Sequence, residues 1–305
     1  MKKKILVIIG GRGIGDLIYH LPLLRSLYKT YGQKITIFSN KINQSIQVFK
    51  NEKFYEEIIE FNNERYNFIK TIINIIKFRN KINRFNFDYI ILTTNTSRLA
   101  IPVFMSNAKK KEIFGVGKFI INKDRSLDHL TVSERIIKYT KKLRLSHQIN
   151  NFFLKPIYLK KNKNKKKRIF ISVDSHHDQN NWEINNFIKI IQNLYKKNKI
   201  FINFSPNKKY LLKFFPKKIK ISKNIEFTYN KKIIDIIKIL SLCDVIIGNE
   251  SGPVCLGSSL KKKIHAIFSP VHTKPESKVI NKKNKYYNSN TQSSKMIIRE
   301  IIRSI

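Results

Sequence analysis

The amino-acid sequence predicts an α/β protein built from two doubly wound, Rossmann-like domains. Short runs rich in Ile and Val alternate with longer stretches of helical periodicity, which is typical of βαβ units around a parallel sheet. A glycine-rich turn follows the first apolar run, and a second glycine-containing turn follows an apolar run near the end of the chain. The chain has 305 residues and 42% apolar residues, which is enough for two domains with separate cores.

The elements predicted in the first half follow from these apolar runs. Strands buried on both faces consist almost entirely of apolar residues, and each is separated from the next by a segment with helical spacing. The predicted strands are Ile5–Ile9, Lys34–Phe38, Tyr55–Glu60, Tyr89–Leu92 and Glu112–Phe114. The predicted helices are Asp16–Tyr31, Asn43–Lys50, Tyr66–Arg84, Ser97–Met105 and Thr131–Leu143.

A polar, lysine-rich stretch at Leu159–Lys167 predicts a linker, so the domains are expected at residues 1–158 and 168–305. A new α/β series follows it. The predicted strands are Arg168–Val173, Ile200–Phe204, Ile225–Phe227, Asp244–Ile247 and Ile264–Phe268. The predicted helices are Glu183–Tyr195, Lys208–Phe215, Lys232–Leu242, Pro253–Leu260 and Ser294–Arg303. The sequence leaves open whether the last of these helices packs on the first domain.

The formal net charge of +41 comes from lysines spread through every segment. This distribution favours a solvated basic surface that attracts acidic partners, such as phosphorylated sugars and anionic lipid headgroups. Neither an aromatic-interleaved RNA motif nor zinc-finger spacing is present, so no specific nucleic-acid partner is expected. Two cysteines make no disulfide framework, which fits a reducing cytoplasm. No apolar run approaches the roughly 20 residues of a membrane span.

The first glycine turn, Gly10–Asp16, joins the first strand to a helix. Arg12 and the backbone amides around Gly13 and Gly15 could hold phosphates or carboxylates of a substrate, or the segment could simply connect the two elements. The glycine spacing does not fit the dinucleotide pattern G-x-G-x-x-G, and no Gly-Lys-Ser phosphate-binding motif occurs in the chain.

The second turn, Gly248–Pro253, also joins a strand to a helix. Pro253 suits the first turn of a helix, and Ser251 is able to cap it. The amides of Gly252–Val254 and the positive end of the helix dipole would then face the space beyond the strand, where an anion such as a diphosphate could bind. Ligands of doubly wound sheets bind at this edge, so a site between the two domains is predicted.

Two motifs resemble the heptosyltransferase-type glycosyltransferases of glycosyltransferase family 9. Gly15–Leu27 contains the Gly-Asp pair, a proline six residues after the Asp, and a Leu/Arg-rich helix. Cys243–Pro253 resembles the family's cD-x-x-I-G-x-D-[ST]-G-P block. Trp182 and Phe187 also stand where the family has a Trp and the following helix.

The resemblance implies a GT-B fold, in which the two domains face each other across a cleft. It implies inverting transfer of a sugar, heptose or similar, from a nucleotide-sugar such as ADP-heptose. The acceptor would be a lipopolysaccharide core or another envelope glycan that is lipid-linked or phosphorylated. No cofactor is implied, and the protein would be cytoplasmic, at the inner face of the cytoplasmic membrane, with peripheral contact to its anionic surface.

The same resemblance suggests roles for individual residues. Asp16 would be the catalytic base that takes a proton from the acceptor hydroxyl, although an Asp here could also only stabilise the helix N-terminus. Arg12, Gly13 and Gly15 would contact the acceptor. The predicted donor-binding residues, which would hold the diphosphate and the donor hydroxyls, are Ser175, His176, Glu250, Ser251, Gly252, Pro253 and Lys274.

The cluster at Asp174–Asp178 contains two histidines and two acids, but we expect no metal there because neighbouring side chains on a loop often diverge. Three positions depart from the family: Asn180 replaces a Lys, Glu250 an Asp and Cys255 a His. These changes leave open an alternative, a catalytically degenerate protein that binds a nucleotide-sugar or anionic glycan.

Overall fold

The structure of the chain is a computed structural model. It describes residues 3–11, 13–62, 68–94, 96–114, 130–145, 151–155, 166–175, 181–268, 280–281 and 284–305.

The chain divides into two compact units, Met1–Phe152 and Phe153–Ile305. The division falls earlier than the lysine-rich stretch predicts. The backbone N–H of Leu154 donates to the carbonyl of Ser259 at 3.0 Å, and the Lys261 ammonium lies 4.9 Å from the centre of the Phe153 ring. These contacts fix the chain to the second unit immediately after Phe152, before the polar stretch begins.

Unit 1, Met1–Phe152, contains an all-parallel sheet in the order β3-β2-β1-β4-β5. Val7 at its centre pairs with Ile37 on one side and Ile91 on the other. The strands are apolar and mostly buried, as expected for a sheet covered on both faces. They are β1 (Ile5–Ile9), β2 (Ile35–Asn40), β3 (Tyr55–Phe61), β4 (Tyr89–Leu92) and β5 (Lys110–Ile113).

The helices of unit 1 cover this sheet. Helices α3 and α4 bury Phe78, Ile82 and Leu99 against Leu6 and Ile8, while α1 contacts β1, β2 and α5. The helices are α1 (Ile14–Tyr31), α2 (Ser45–Val48), α3 (Phe68–Arg84), α4 (Ser97–Phe104) and α5 (Val132–Lys142), and a 3₁₀ turn spans Lys41–Asn43.

Unit 2, Phe153–Ile305, contains a second all-parallel sheet in the order β11-β10-β9-β6-β7-β8. Ile171 at its centre pairs with Ile202 and Ile247. Counted within the unit, the strand order is 3-2-1-4-5-6 from the β8 edge, which is that of the Rossmann fold. The strands are β6 (Arg168–Ser172), β7 (Lys199–Asn203), β8 (Ile225–Thr228), β9 (Val245–Asn249), β10 (Lys263–Phe268) and β11 (Lys285–Asn288).

The core of unit 2 joins the sheet to α6 and to the last helix. Phe187, Ile191, Ile297 and Ile301 are buried with the strand residues in one cluster. The apolar face of the last helix is therefore buried within the core of unit 2. The helices are α6 (Ile184–Leu194), α7 (Lys217–Lys220), α8 (Ile233–Leu242), α9 (Gly252–Ser259) and α10 (Ser294–Ser304), with a 3₁₀ segment at Pro206–Phe214.

The predicted fold class of doubly wound α/β units is confirmed, and every predicted strand is present with shifts of a few residues at its ends. The helix predicted at Lys208–Phe215 is wrong in type, because the chain there forms a 3₁₀ segment with non-helical backbone angles at Lys208. Strand β11 and the single turn of α7 were not predicted, since each has four residues and neither contains a run of apolar side chains.

In each sheet the strand order reverses between two central neighbours, β1 and β4 in unit 1 and β6 and β9 in unit 2. At such a point the chains leaving the two strands move apart, which opens a crevice at the carboxyl edge of the sheet. The first glycine turn follows β1 and the second follows β9. Each predicted binding turn therefore lies at the switch point of its own unit.

Candidate functional site

The glycine turn of unit 1 allows Asp16 to fold back over the loop. A Cβ on Gly11 would lie 2.3 Å from the Cγ of Asp16, and one on Gly10 would lie 2.4 Å from the Cγ2 of Thr94. Both distances are far below van der Waals contact, so larger residues would displace the Asp16 carboxylate or the segment that follows β4. The glycines are needed here for close approach.

Asp16 occupies the third position of α1 and is half-buried. Its Oδ2 accepts a hydrogen bond from the N–H of Gly13 at 2.9 Å, and its own N–H donates to the Gly13 carbonyl at 3.0 Å. The carboxylate thus stabilises the helix N-terminus, as the simpler interpretation of this residue requires. It also remains partly accessible, at the edge where a substrate of unit 1 would bind.

His20, one turn after Asp16, holds the start of α1 against β4. Its Nδ1 lies 2.5 Å from the Asp16 carbonyl and its Nε2 lies 2.6 Å from the hydroxyl of Thr93. Burial lowers the pKa of His20 to about 4, so the ring is neutral at pH 7. Because a carbonyl can only accept, the neutral imidazole donates from Nδ1 to Asp16, and this bond fixes the tautomer. Nε2 is then an acceptor beside the Thr93 hydroxyl, which also donates to the Ile8 carbonyl at 3.0 Å.

This histidine makes stability depend on pH. The unfolded state binds a proton near pH 6.5 and the folded state only near pH 4, so unfolding becomes easier as the pH falls through this window. His265, whose pKa burial also lowers to about 4, acts in the same direction. The unfolding free energy of the natural protein should fall between pH 7 and pH 4.5. In His20→Gln this fall should be smaller by about 2 kcal/mol, as measured by urea denaturation at both pH values. An identical pH dependence in both proteins would contradict this assignment.

Asn43 connects the turn after β2 to the glycine loop. Its Nδ2 donates to the carbonyl of Gly11 at 2.8 Å. Its Oδ1 is buried and accepts no hydrogen bond within the part of the chain that the structure describes. Asn43 was not among the predicted site residues. The signal for it in the sequence is a polar residue close after an apolar strand, at the edge that carries the site.

The structure describes two of the three predicted acceptor residues, Gly13 and Gly15. Gly13 precedes α1 in an extended conformation and is exposed, and Gly15 is half-buried in the first turn. Arg12 lies outside the described residues. The assignment of these residues to an acceptor remains a prediction.

In unit 2, Ser251 stands at the N-cap position of α9, but its side chain does not cap the helix. Its hydroxyl lies 3.4 Å from that of Ser172, at the end of β6. The capping bond expected from the sequence is therefore absent, so the Ser251 side chain does not occupy the amides of the first turn of α9. The first turn, Gly252–Val254, retains the positive end of the helix dipole as predicted.

Close packing fixes the direction of α9. A Cβ on Gly257 would lie 2.0 Å from the Cδ1 of Ile246, and one on Gly248 would lie 2.7 Å from the carbonyl oxygen of Ser172. The two glycines let α9 lie directly on β9 and let β9 approach β6. The N-terminus of α9 is consequently held at the sheet edge by the core of unit 2.

The side chain of Asn249 links the ends of β6 and β9 to the loop before α6. Its Oδ1 accepts from the N–H of Trp182 at 2.8 Å, and its Nδ2 donates to the carbonyl of Val173 at 3.0 Å. Asn249 is completely buried. Asn249 was not among the predicted site residues, although a polar residue that ends an apolar strand is a signal for such a role.

Glu250 and Ser175 lie at the same edge of unit 2. The N–H of Glu250 donates to the carbonyl of Ile267 at 3.0 Å, and its side chain is half-buried. The N–H of Ser175 donates to the Asn181 side chain at 2.6 Å, and its carbonyl accepts from the Lys208 ammonium at 3.0 Å. Both residues follow switch-point strands, which is where the donor contacts were predicted.

Asp174 has a structural role. Its carboxylate is buried and accepts from the N–H of Ser205 at 2.9 Å, before the 3₁₀ segment. Burial raises the pKa of this carboxyl, and the bond from Ser205 partly opposes the rise. The described residues contain no group of three His, Cys, Asp or Glu side chains able to hold a metal. His176, Asn180 and Lys274 lie outside them.

Within the described residues, no helix is both long and apolar enough to cross a bilayer.

Comparison with solved structures identifies proteins of the same fold. A glycosyltransferase family 9 protein from Veillonella parvula matches 100% of this chain and 90% of its own at a TM-score of 0.74 and 15% identity. E. coli heptosyltransferase WaaC with ADP matches 99% of this chain and 100% of its own, with a TM-score of 0.71 and 14% identity. E. coli ADP-heptose LPS heptosyltransferase II matches 98% of this chain and 97% of its own, with a TM-score of 0.66 and 14% identity.

No protein-family model and no curated protein matches the chain. The identities to the solved structures are low, so the match establishes the fold. It confirms the GT-B fold that the two motifs implied.

Proposed function

We propose that the chain is an inverting glycosyltransferase that moves a sugar, heptose or similar, from a nucleotide-sugar to a lipopolysaccharide core or another envelope glycan. The observation that carries the proposal is the position of the two motifs. Each follows a central strand at the switch point of its unit, in a fold shared with heptosyltransferases along the whole chain. This is the edge at which such sheets bind ligands.

The donor side of the reaction belongs to unit 2. The amides of the first turn of α9 and the Ser251 hydroxyl would hold the diphosphate, and Glu250 would accept hydrogen bonds from sugar hydroxyls. Preorganised amides at the end of a helix dipole stabilise the charge that develops on the departing diphosphate. The proposal requires no cofactor. Cys255, which replaces the family His, is buried in α9, so its thiol is not expected to contact the donor.

The acceptor side belongs to unit 1. Asp16 would remove the proton of the acceptor hydroxyl while its oxygen attacks the anomeric carbon from the face opposite the diphosphate. The bond from that carbon to the diphosphate breaks, the nucleoside diphosphate leaves, and the anomeric configuration inverts. Arg12, Gly13 and Gly15 would contact a lipid-linked or phosphorylated acceptor. This chemistry would take place in the cytoplasm, at the inner face of the membrane.

Binding of ADP tests whether the turn at Ser251 holds the donor diphosphate. ADP is the nucleotide in the E. coli heptosyltransferase WaaC structure. We expect Ser251→Ala to weaken ADP binding by about tenfold, because a hydrogen bond to a charged group is worth about 1.5–3 kcal/mol. Its stability should change little, since Ser251 caps nothing. Isothermal titration calorimetry measures the affinity and urea denaturation the stability.

Ser293 provides the matched control. It is the N-cap of α10, and its side chain accepts from the N–H of Met296. Ser293→Ala should therefore lower stability by about 1 kcal/mol and leave ADP affinity unchanged. If Ser251→Ala binds ADP as tightly as the natural protein, the donor site has been assigned to the wrong turn.

A further inference from the structure

We propose that α3 is a docking element for an anionic lipid bilayer. This helix carries four isoleucines on its outer surface: Ile69, Ile72, Ile73 and Ile76 are 69%, 42%, 45% and 46% exposed. Isolated exposed apolar residues are ordinary, whereas four on one helix are a continuous surface that water solvates poorly. We call these four residues the isoleucine stripe.

The spacing of the stripe follows the helix period. Steps of three, one and three residues place all four side chains within about a third of the helix circumference. The opposite side of α3 packs into the core of unit 1 through Phe78 and the almost completely buried Ile82. The fold thus requires only the inner face of the helix to be apolar, and the core does not account for the outer stripe.

Cations flank the stripe and no acid interrupts it. The helical period places Lys70 and Lys77 on one side of the stripe and Arg79 on the other, and α3 contains neither Asp nor Glu. An apolar stripe between basic residues fits the boundary between headgroups and acyl chains, where isoleucines enter the hydrocarbon and lysines meet lipid phosphates. The net charge of +41 adds a long-range attraction to any anionic membrane.

Two other occupants fit this surface less well. A nucleic acid would satisfy the lysines but would leave the isoleucines in contact with a charged backbone. A second copy of the chain, placed stripe to stripe, would bring Lys70, Lys77 and Arg79 close to the same cations of its partner. Of these three occupants, an anionic lipid surface is the one that satisfies both the apolar and the basic residues.

The stripe lies near the edge of unit 1 that carries Asp16. Helix α3 follows β3 and leads to the parallel strand β4, so its N-terminal half, with the stripe, lies toward the carboxyl edge of the sheet. Ile42 and Ile46, which follow β2 at this edge, are also about half exposed, at 52% and 51%. If the proposed transferase function holds, docking would bring this edge to the membrane that contains the lipid-linked acceptor. Membrane binding itself does not depend on that function.

The test measures sedimentation of the full chain with phosphatidylglycerol–phosphatidylcholine vesicles. We expect binding to these vesicles and little to pure phosphatidylcholine. The double variant Ile69→Ser/Ile73→Ser, which preserves charge, should bind at least about tenfold more weakly and lose the binding that remains at high salt. Ile221→Ser is the control, because Ile221 is 72% exposed among lysines but belongs to no stripe.

A fluorescent label reports insertion directly. Both native cysteines are buried, so a thiol-reactive, polarity-sensitive dye should label Ile73→Cys selectively. Its emission should shift to the blue on addition of phosphatidylglycerol vesicles, whereas that of labelled Ile221→Cys should not. The proposal would be overturned if the natural protein and the double variant bound vesicles equally, or if both labels gave equal shifts. It would also be overturned if the double variant bound RNA more weakly to the same extent as it bound vesicles, or if the natural protein formed a dimer in solution that the double variant did not. Ser251→Ala, which should weaken ADP binding, should leave vesicle binding unchanged, and this difference separates the two proposals.

Discussion

Replacing Asp16 by Asn should reduce sugar transfer by about 10²–10⁴-fold while ADP binding stays unchanged. The amide cannot accept the proton of the acceptor hydroxyl, and positioned general bases contribute a factor of this size. The amide oxygen can still accept from the N–H of Gly13, so the start of α1 should keep its structure. Initial rates of transfer and calorimetric titration with ADP measure the two quantities.

Asp235 is a closely matched control. It occupies the third position of α8, as Asp16 does in α1, and is likewise an acid in the first turn of its helix. Asp235→Asn removes the same charge from an equivalent place that lies outside the proposed site. If both variants lose activity to the same small extent, Asp16 serves only to stabilise its helix and the base must be another group.

Replacing Arg25 by Met should destabilise the folded chain by about 3–5 kcal/mol. Its guanidinium lies 2.7 Å from the Glu52 carboxylate, whose side chain is only 2% exposed, and it also donates to the carbonyl and side chain of Asn151. Removing the cation leaves a buried carboxylate without its ion-pair partner, which is costly. Urea denaturation at pH 7 measures the loss.

Two further variants separate this effect from a general loss of charge. Lys109→Met breaks an ion pair with Asp88 at 3.4 Å, but that lysine is 86% exposed, so the change should stay below about 1 kcal/mol. Arg25→Met combined with Glu52→Met should recover much of the lost stability, because both desolvated charges are then gone. A single Arg25→Met variant as stable as Lys109→Met would show that the pair is solvated.

The sequence was sufficient for the architecture because strands covered on both faces are recognisable by composition alone. Runs such as Ile5–Ile9 and Ile246–Ile247 have one structural interpretation in this context, and the glycine turns mark where each strand ends. The 3₁₀ segment at Pro206–Phe214 was harder to predict. Its apolar residues have helical spacing, but the choice between helix types depends on local backbone angles such as those of Lys208.

The domain boundary shows a different limit. Composition places it in the lysine-rich stretch, whereas Phe153 and Leu154 already contact residues about a hundred positions later in unit 2. Long-range contacts of this kind leave no local signal.

Ser251 shows a similar limit. It has the residue type and position of an N-cap, but its hydroxyl lies toward that of Ser172 instead.

A residue that bears chemistry is easier to select from the sequence than one that positions another group. Asp16 and Ser251 stand out because their types match a reaction and a phosphate contact. Asn43 and Asn249 act through hydrogen bonds to backbone groups of other loops, Gly11 in one case and Trp182 and Val173 in the other. Those partners become visible only when the sheets bring the loops together.

Transfer of a sugar from a nucleotide-sugar to an envelope glycan, with Asp16 as the base, can be measured directly. The measurement is mass spectrometry of a lipopolysaccharide-core acceptor after incubation with a panel of ADP- and UDP-sugars. We predict that one donor gives an acceptor heavier by one sugar residue with the natural protein, and that Asp16→Asn gives almost no product. An acceptor of unchanged mass with every donor, while ADP still binds, would contradict the claim and indicate a protein that binds the nucleotide without transfer.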